Sequence, residues 1–154
     1  QQDSRLRITF LWRGILAEEM EQRIHALGLE SRITLVNKFV NVNQILASVH
    51  ATITLATNAA LIKAYPHSLL DSLAAGKPVL VNRAIPMADY VERTKCGIVM
   101  EKVTASEVLA TLAKLRQQYN PLQQSARQVG QRDFTLNEMI TAFQQVYQSV
   151  VHTR

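Results

Sequence analysis

The sequence predicts an α/β fold, in which a Rossmann-like doubly wound parallel sheet carries helices on both faces and is followed by C-terminal helices. Segments rich in strand formers alternate about five times with segments whose apolar residues recur at helical spacing. The strand segments, such as Val79–Val81, are nearly continuous apolar runs, which is typical of a parallel sheet covered on both faces. The length of 154 residues suits one core, and we expect a single domain over residues 1–154.

The first two thirds of the chain divides into short strands and short helices. Gly28 and Gly76 follow two of the helical segments and supply their C-terminal stops. Pro78 precedes the most apolar strand and marks its start. The predicted strands cover residues 6–12, 32–36, 51–56, 78–82 and 97–100, and the predicted helices cover residues 16–27, 42–49, 68–75 and 87–93.

The rest of the chain is predicted to be helical. Thr104–Glu107 and Thr135–Glu138 both match the capping box, in which a threonine hydroxyl and a glutamate side chain satisfy backbone donors at a helix start. Pro121 suits the start of a helix between these two. The last helix carries an apolar stripe made of Met139, Phe143, Val146 and Val150.

Composition restricts the kinds of function that the chain can have. The net charge of +5 suits an acidic partner such as a nucleotide diphosphate, a nucleic acid or an anionic membrane, although scattered basic residues fit simple solubility charge equally well. Aromatic residues make up only 6%, which is few for stacking nucleic-acid bases. Cys96 is the single cysteine, so the chain has no internal disulfide and no Cys/His metal spacing. This cysteine usage fits a reducing compartment. The chain lacks an initiator Met, a signal-peptide pattern and an apolar run of membrane-spanning length.

The loops after the strands are the expected ligand-binding elements. Ligands of doubly wound sheets bind beyond the carboxyl ends of the strands. These loops are Arg13–Ile15, Asn37–Asn41, Thr57–His67 and Arg83–Pro86.

The helix that starts near Pro66 has the strongest binding potential of these elements. Its first backbone N–H groups are expected to point towards the ligand edge, where donors and the helix dipole bind phosphate. Asp71 lies about one turn into this helix, where a carboxylate can accept hydrogen bonds from two ribose hydroxyls. The alternative is that Asp71 only complements the helix dipole.

The segment Ser68–Val81 resembles the donor-binding domain of retaining GT-B glycosyltransferases. From Asp71 it reads Asp-Ser-Leu-Ala-Ala-Gly-Lys-Pro-Val. The similarity extends to Asn82, Ala88-Asp-Tyr-Val-Glu and Cys96-Gly-Ile-Val-Met. It is most similar to the WbuB-like bacterial branch, which builds lipopolysaccharide, capsule and O-antigen. This resemblance implies that the chain is the C-terminal half of a GT-B fold and that the N-terminal acceptor domain is absent from it.

The resemblance also implies the residues that bind the donor. Asp71 would hold the ribose, beside His67, Ser68 and Leu69 at the helix start. The loop Lys38-Phe39-Val40 would lie near the base, largely through its backbone, and Arg13 and Gly14 would lie near the diphosphate. For Arg13, Lys38 and His67 the alternative is an ordinary surface side chain.

Lys63 departs from the family pattern. Family members often carry a second acidic residue eight positions before the first, near the reacting centre, and here that position is Lys63. A lysine can touch the sugar or the diphosphate, but it cannot repeat the role of a carboxylate. No catalytic residue is therefore predicted.

The implied function is that of the donor-binding part of a hexosyltransferase. Such an enzyme moves a sugar from a UDP- or GDP-linked donor to a glycan or lipid-linked acceptor with retention, and we expect no metal and no other cofactor. Nucleic acid is not an expected partner. The expected location is the cytoplasm, with peripheral association of the full-length protein at the inner membrane.

Two other functions compete with this one. Lys63 keeps open a non-catalytic binding or regulatory module with a Rossmann-like core. A flavodoxin-like receiver is disfavoured because it needs acidic residues at the strand ends, where this sequence has Arg13, Lys38 and Lys63.

Overall fold

The computed structural model describes residues 6–12 and 14–151, in which parallel strands alternate with helices. Contacts divide the chain into two compact units, one ending at Asn41 and the other beginning at Val42.

The first unit contains a strand, a helix and a second strand. These are β1 (Ile8–Leu11), α1 (Ala17–Ala26) and β2 (Ile33–Val36). β1 and β2 pair in parallel over their whole length, with Leu11 opposite Val36, so both strands end at the same edge. Gly28 follows α1 with a φ of 62°, the left-handed conformation that ends a helix, as predicted.

The second unit is built on a three-stranded parallel sheet. β4 lies between β3 and β5 and pairs with both. Because all connections between these strands cross over through helices, every strand ends at the same edge. The elements are α2 (Val42–Ser48), β3 (Thr52–Thr54), a 3-10 helix (Ala59–Leu61), α3 (His67–Ala74), β4 (Val79–Asn82), α4 (Ala88–Thr94), β5 (Gly97–Met100), α5 (Ala105–Gln117), α6 (Tyr119–Asp133) and α7 (Leu136–Val151).

Helices cover both faces of this sheet. All of β4 is buried, and its side chains alternate between two apolar clusters. Val79 and Val81 pack in a cluster with residues of α3, α4 and α6. Leu80 packs in the other cluster with residues of β5, α5 and α6. The predicted α/β architecture, with a parallel sheet between helices, is therefore confirmed for this unit.

The predicted boundaries differ from the observed ones by about one or two residues at most ends. β5 has the predicted bounds, whereas β3 is shorter than residues 51–56 because its ladder with β4 stops at Thr54. α6 begins at Tyr119 instead of Pro121. Pro121 lies in the first turn, where no N–H is needed for an intrahelical bond.

The threonine half of each predicted capping box forms, but neither glutamate side chain bonds back to its N-cap residue. Thr135 Oγ1 accepts the N–H of Glu138 at 3.2 Å, and Thr104 Oγ1 accepts that of Glu107 at 3.2 Å. The Glu107 carboxylate does not return to the N-cap but accepts the N–H groups of Glu101 and Lys102 at 2.6 and 3.0 Å. It therefore ties the end of β5 to the start of α5.

The apolar stripe of α7 is exposed. No residue of this helix is buried, and 56% of the surface of Phe143 is exposed to solvent. Contiguous exposed apolar side chains are typical of surfaces that pack against another molecule or domain. The exposed large side chains are Leu136, Met139, Ile140, Phe143, Val146, Tyr147, Val150 and Val151.

The absence of a side chain at Gly130 lets α6 approach the end of α3. A Cβ at Gly130 would lie 2.0 Å from the carbonyl oxygen of Leu73. Leu73 is fully buried, so the backbone there has no room to move without disturbing the core.

Replacing Gly130 with alanine tests this approach. Alanine favours an isolated helix by about 1 kcal/mol over glycine. In this position we expect Gly130→Ala to destabilise the fold instead, by about 1–3 kcal/mol, because of overpacking. The measurement is urea unfolding, with Gln128→Ala on the exposed face of α6 as the control. An unchanged or higher midpoint for Gly130→Ala would show that the helices are not in this contact.

A polar contact joins α4 to the end of α6. Tyr90 donates its hydroxyl hydrogen bond to Asp133 Oδ2 at 2.7 Å, and Arg132 pairs with the same carboxylate, with Nη2 at 2.9 Å from Oδ2. Hydrogen bonding by Arg132 lowers the pKa of Asp133 to about 2. Burial, followed by the bond to Asp133, raises the pKa of Tyr90.

The depressed pKa of Asp133 has a consequence for stability against pH. The ionised carboxylate stabilises the fold above the ordinary aspartate pKa of about 4, and this contribution is lost as the pH falls towards 2. We expect Asp133→Asn to cost about 1 kcal/mol at neutral pH, since Arg132 is largely exposed and screened. Urea unfolding should show this difference between pH 7 and 4 and its decline below pH 4. Glu21→Gln, the loss of an exposed carboxylate on α1, is the control; equal behaviour of both variants at every pH would contradict the role of Asp133.

Candidate functional site

The buried side chain of Asn82 defines the carboxyl edge of the second unit. Asn82 is the last residue of β4 and is only 5% exposed. Its carboxamide donates to Ala56 O at 2.8 Å and accepts from Ala56 N at 3.0 Å. The side chain thus continues the ladder after β3 ends and holds the chain where the loop of residues 57–66 leaves the sheet. Each such hydrogen bond contributes on the order of 1 kcal/mol. Sequence reasoning noted Asn82 only as part of a family resemblance and missed this function.

The start of α3 presents backbone donors at this edge. The N–H groups of Leu69 and Leu70 donate to Pro66 O at 3.0 and 3.2 Å. Those of His67 and Ser68 precede any intrahelical acceptor and are left for another partner. His67 is the first helical residue and not a loop residue as expected, and both its side chain and that of Ser68 are exposed. Leu69 is fully buried, so it contributes packing and no exposed side chain.

Asp71 lies on the exposed side of α3. Its side chain makes no hydrogen bond or ion pair with the rest of the described chain, so it is available to a ligand. The opposite side of the helix holds it in place: Ser72 is fully buried, donates to Lys77 O at 3.2 Å and accepts from Thr52 Oγ1 at 2.8 Å. These bonds link α3 to β3 and to the entry of β4. The direction in which Asp71 projects is therefore determined by buried contacts.

Lys63 is exposed in the loop between β3 and α3. The preceding 3-10 helix is capped by Asn58, whose side chain accepts the N–H of Ala60 at 2.9 Å. Lys63 forms no ion pair with the described residues, so its charge at the carboxyl edge is not neutralised by a neighbour.

Arg83, in the loop after β4, is bound by acidic side chains. Its guanidinium contacts Asp89 at 3.2 Å, Glu92 at 3.0 Å and Glu101 at 2.7 Å. Hydrogen bonds to Glu92 and Glu101 raise the pKa of Arg83, and the same contact lowers the pKa of Glu92. The donors of Arg83 are thus directed to carboxylates. Sequence reasoning missed this network, although the acidic residues that follow β4 and β5 were the signal for it.

The loops of the first unit leave its own sheet at one edge. The N–H of Trp12 donates to Val36 O at 3.2 Å, one residue beyond the end of β1. Gly14 is exposed in the loop after β1, and a Cβ there would lie 3.2 Å from Trp12 Nε1. Arg13, the other predicted residue of this loop, lies outside the described residues.

The loop after β2 carries the residues predicted to lie near a base. Lys38 is exposed, Phe39 is 89% exposed and Val40 is half-buried. Because β1 and β2 end side by side, this loop and that of Gly14 start from the same edge. The structure therefore groups the predicted residues by unit: Gly14, Lys38, Phe39 and Val40 in the first, and Lys63, His67, Ser68, Leu69 and Asp71 in the second.

Two further features can be stated for residues 6–12 and 14–151. No group of three or more His, Cys, Asp or Glu side chains in this part of the chain is arranged to hold a metal ion. None of its helices has both the length and the apolar character that crossing a bilayer requires.

Solved glycosyltransferase structures share this fold. The chain is similar to a glycosyltransferase from Rickettsia africae, with 14% identity and a TM-score of 0.77 over 95% of this chain and 40% of that one. It is similar to HepE from Anabaena in complex with UDP-glucose, with 19% identity and a TM-score of 0.69 over 94% of this chain and 40% of that one. It is also similar to WaaG, a glycosyltransferase involved in lipopolysaccharide biosynthesis, with 19% identity and a TM-score of 0.65 over 81% of this chain and 33% of that one. The chain thus spans between a third and two fifths of the length of these structures.

The sequence itself supplies the family. No curated protein sequence matches the chain significantly. Residues 8–132 match the family described as Glycosyl transferases group 1, and this match covers every strand and the site residues of both units. The chain therefore belongs to the glycosyl transferases group 1 family.

Proposed function

We propose that this chain is the donor-binding part of a retaining glycosyltransferase that uses a UDP- or GDP-linked hexose. The observation that carries the proposal is the start of α3. There the exposed carboxylate of Asp71 lies about one turn from the unpaired N–H groups of His67 and Ser68. The arrangement suits a ribose diphosphate, because the carboxylate accepts from the ribose hydroxyls while the N–H groups and the helix dipole bind phosphate oxygens.

The chemistry of the proposal concerns the leaving diphosphate. Negative charge develops on it as the sugar leaves, and donors aimed at that charge lower the barrier. We assign this stabilisation to the N–H groups at the start of α3 and to Lys63, whose charge has no acidic neighbour among the described residues. The proposal includes no metal and no other cofactor, as the resemblance of Ser68–Val81 implies.

The first unit carries the other residues that the resemblance implies for the donor. In the proposal, Lys38, Phe39 and Val40 lie near the base and Arg13 and Gly14 near the diphosphate. The complexes of HepE with UDP and with UDP-glucose support a nucleotide-sugar donor for a chain of this fold.

The acceptor is proposed to bind to a further domain of the full-length protein. The solved relatives are more than twice as long as the shared region, which supports such a domain. The exposed apolar face of α7 supports an additional packing partner.

The proposed acceptor is a glycan or a lipid-linked sugar in a WbuB-like branch of surface-polysaccharide synthesis. The similarity to WaaG, from lipopolysaccharide biosynthesis, supports that branch. We place the protein in the cytoplasm, peripheral to the inner membrane.

The second candidate is a non-catalytic binding or regulatory module. Lys63 favours it, because the acidic residue that family members often carry there is missing. Calorimetric titration with UDP, GDP and ADP separates the candidates at the first step. Binding of one of these nucleotides supports the donor site, whereas no binding at millimolar concentration favours the second candidate.

The role of Asp71 predicts a specific loss of binding. Asp71→Asn keeps the size of the side chain and removes the charge that strengthens hydrogen bonds to the ribose. We expect about tenfold weaker binding of UDP, corresponding to one charge-assisted bond. Because Asp71 is exposed and unpaired, the unfolding midpoint should not change. Calorimetry gives the affinity, with Glu21→Gln on α1 as the control; equal affinities for Asp71→Asn and the native chain would remove Asp71 from the site.

The role of Lys63 predicts an effect that depends on the diphosphate. Lys63→Ala should weaken binding of UDP about threefold to tenfold and leave binding of uridine unchanged, because the ammonium would contact phosphate oxygens only. Calorimetry with both ligands measures the ratio. Lys114→Ala, which removes an exposed lysine charge near the C-terminal end of α5, is the control. Equal losses for UDP and uridine would place Lys63 away from the diphosphate.

A further inference from the structure

A polar groove lies at the end of α3 opposite to its start. The groove has a volume of about 430 Å³ and is formed by the C-terminal end of α3, the following turn and one face of α6. No acidic and no aromatic residue lines it. The lining consists of Ala74, Ala75, Gly76, Lys77, Asn120, Gln123, Gln124, Arg127 and Gln131.

The groove is distinct from the proposed donor site. α3 has eight residues, so its two ends are about 12 Å apart along the helix axis. The donors at His67 and Ser68 lie at the carboxyl edge of the sheet, whereas the groove begins at Ala74, the last residue of α3. The two sites therefore share a helix and no residue.

The polar side chains of the groove are available to a ligand. Four of them make no hydrogen bond or ion pair with the rest of the described chain: Asn120, Gln124, Arg127 and Gln131. They follow one another at intervals of three to four residues and so project from the same face of α6. Gln123, in contrast, already donates to Tyr119 Oη at 3.0 Å.

The floor of the groove is held in a defined shape. Gly76 ends α3 with a φ of 68°, and its N–H and that of Lys77 donate to Leu73 O and Ser72 O, both at 2.9 Å. A Cβ at Gly76 would lie 3.4 Å from Arg127 Cβ, so any larger residue would fill the space beside Arg127. The contact at Gly130 keeps α6 against α3 on the other side.

The chemistry of the lining selects a class of ligand. The Arg127 guanidinium recognises a carboxylate through paired donors. Lys77 contributes a more distant positive charge, because its ammonium donates to Ala47 O at 3.5 Å. Each carboxamide offers a donor and an acceptor, which suits the hydroxyls of a sugar. The absence of an aromatic side chain removes the stacking surface that would favour a nucleoside base. We propose that this groove binds an acidic oligosaccharide, with a uronate carboxylate on Arg127 and sugar hydroxyls on the carboxamides of α6.

The test is an NMR titration of the 154-residue chain with three probes. These are a tetrasaccharide of glucuronic acid, the neutral cellotetraose and sodium sulfate. We expect the glucuronate tetrasaccharide to shift the backbone signals of residues 74–77 and the side-chain amide signals of Gln124 and Gln131. Cellotetraose should shift them at least about tenfold more weakly, because it lacks the charge that pairs with Arg127.

Variants separate the contributions of charge and of carboxamide. Arg127→Ala should weaken the tetrasaccharide about tenfold, and Gln124→Leu, which keeps the volume, should weaken it about threefold to fivefold. Arg116→Ala, on α5 and outside the groove, is the matched control and should bind as the native chain does. Binding of UDP to each variant, measured separately, should be unchanged, so a failure of the donor-site proposal cannot be mistaken for a failure of this one.

Three results would overturn the inference. The first is that no signal of the groove shifts with the tetrasaccharide at millimolar concentration. The second is that cellotetraose binds equally well, which would exclude the role of charge. The third is that sulfate displaces the tetrasaccharide completely and Gln124→Leu has no effect, which would reduce the groove to a site for any simple anion.

Discussion

The contact between Gly130 and the carbonyl of Leu73 determines where α3 lies, and α3 carries both polar surfaces of the second unit. One end of this helix presents the N–H groups of His67 and Ser68, and the other end forms the floor of the groove. An α-helix of eight residues behaves as a rigid rod on this scale, so a displacement at its C-terminal end moves its N-terminal end as well. The buried hydroxyl of Ser72 adds a lateral constraint, since it bonds to both Thr52 and Lys77. The packing of α6 therefore positions side chains of α3, a helix that lies much earlier in the sequence.

Features that depend on local chemistry could be predicted from the sequence, and features that depend on distant contacts could not. Gly28 and Gly76 end helices because few other residues adopt a positive φ without strain, and Thr135 caps α7 because its hydroxyl reaches an N–H three residues on. The parallel sheet followed from apolar runs such as Val79–Val81, which only a sheet covered on both faces can bury.

The site illustrates the same difference. Asp71 was identified from its place in a helix that starts at the ligand edge, a relation that spans only a few residues. Asn82 acts through Ala56, which is 26 positions away, and Gly130 acts through Leu73 on another helix. Nothing in the local pattern around Asn82 or Gly130 indicates such partners. The helical period turns the side chain of Leu69 into the core, so this residue supports the helix start by packing.

Charge at the carboxyl edge is distributed unequally between two basic residues. Arg83 lies between carboxylates of Asp89, Glu92 and Glu101, so its positive charge contributes little to the field beyond them. Lys63 has no such neighbour among the described residues. An anionic ligand at this edge would consequently meet the dipole of α3 and the Lys63 ammonium, with Lys102 after β5 as a further exposed charge.

Binding and chemistry are then separable within the proposed function. A ribose bound by Asp71 carries the same charge before and during the reaction, so this contact contributes to affinity. The diphosphate gains negative charge as the sugar leaves, so the donors of α3 and Lys63 contribute more to the transition state than to the bound substrate.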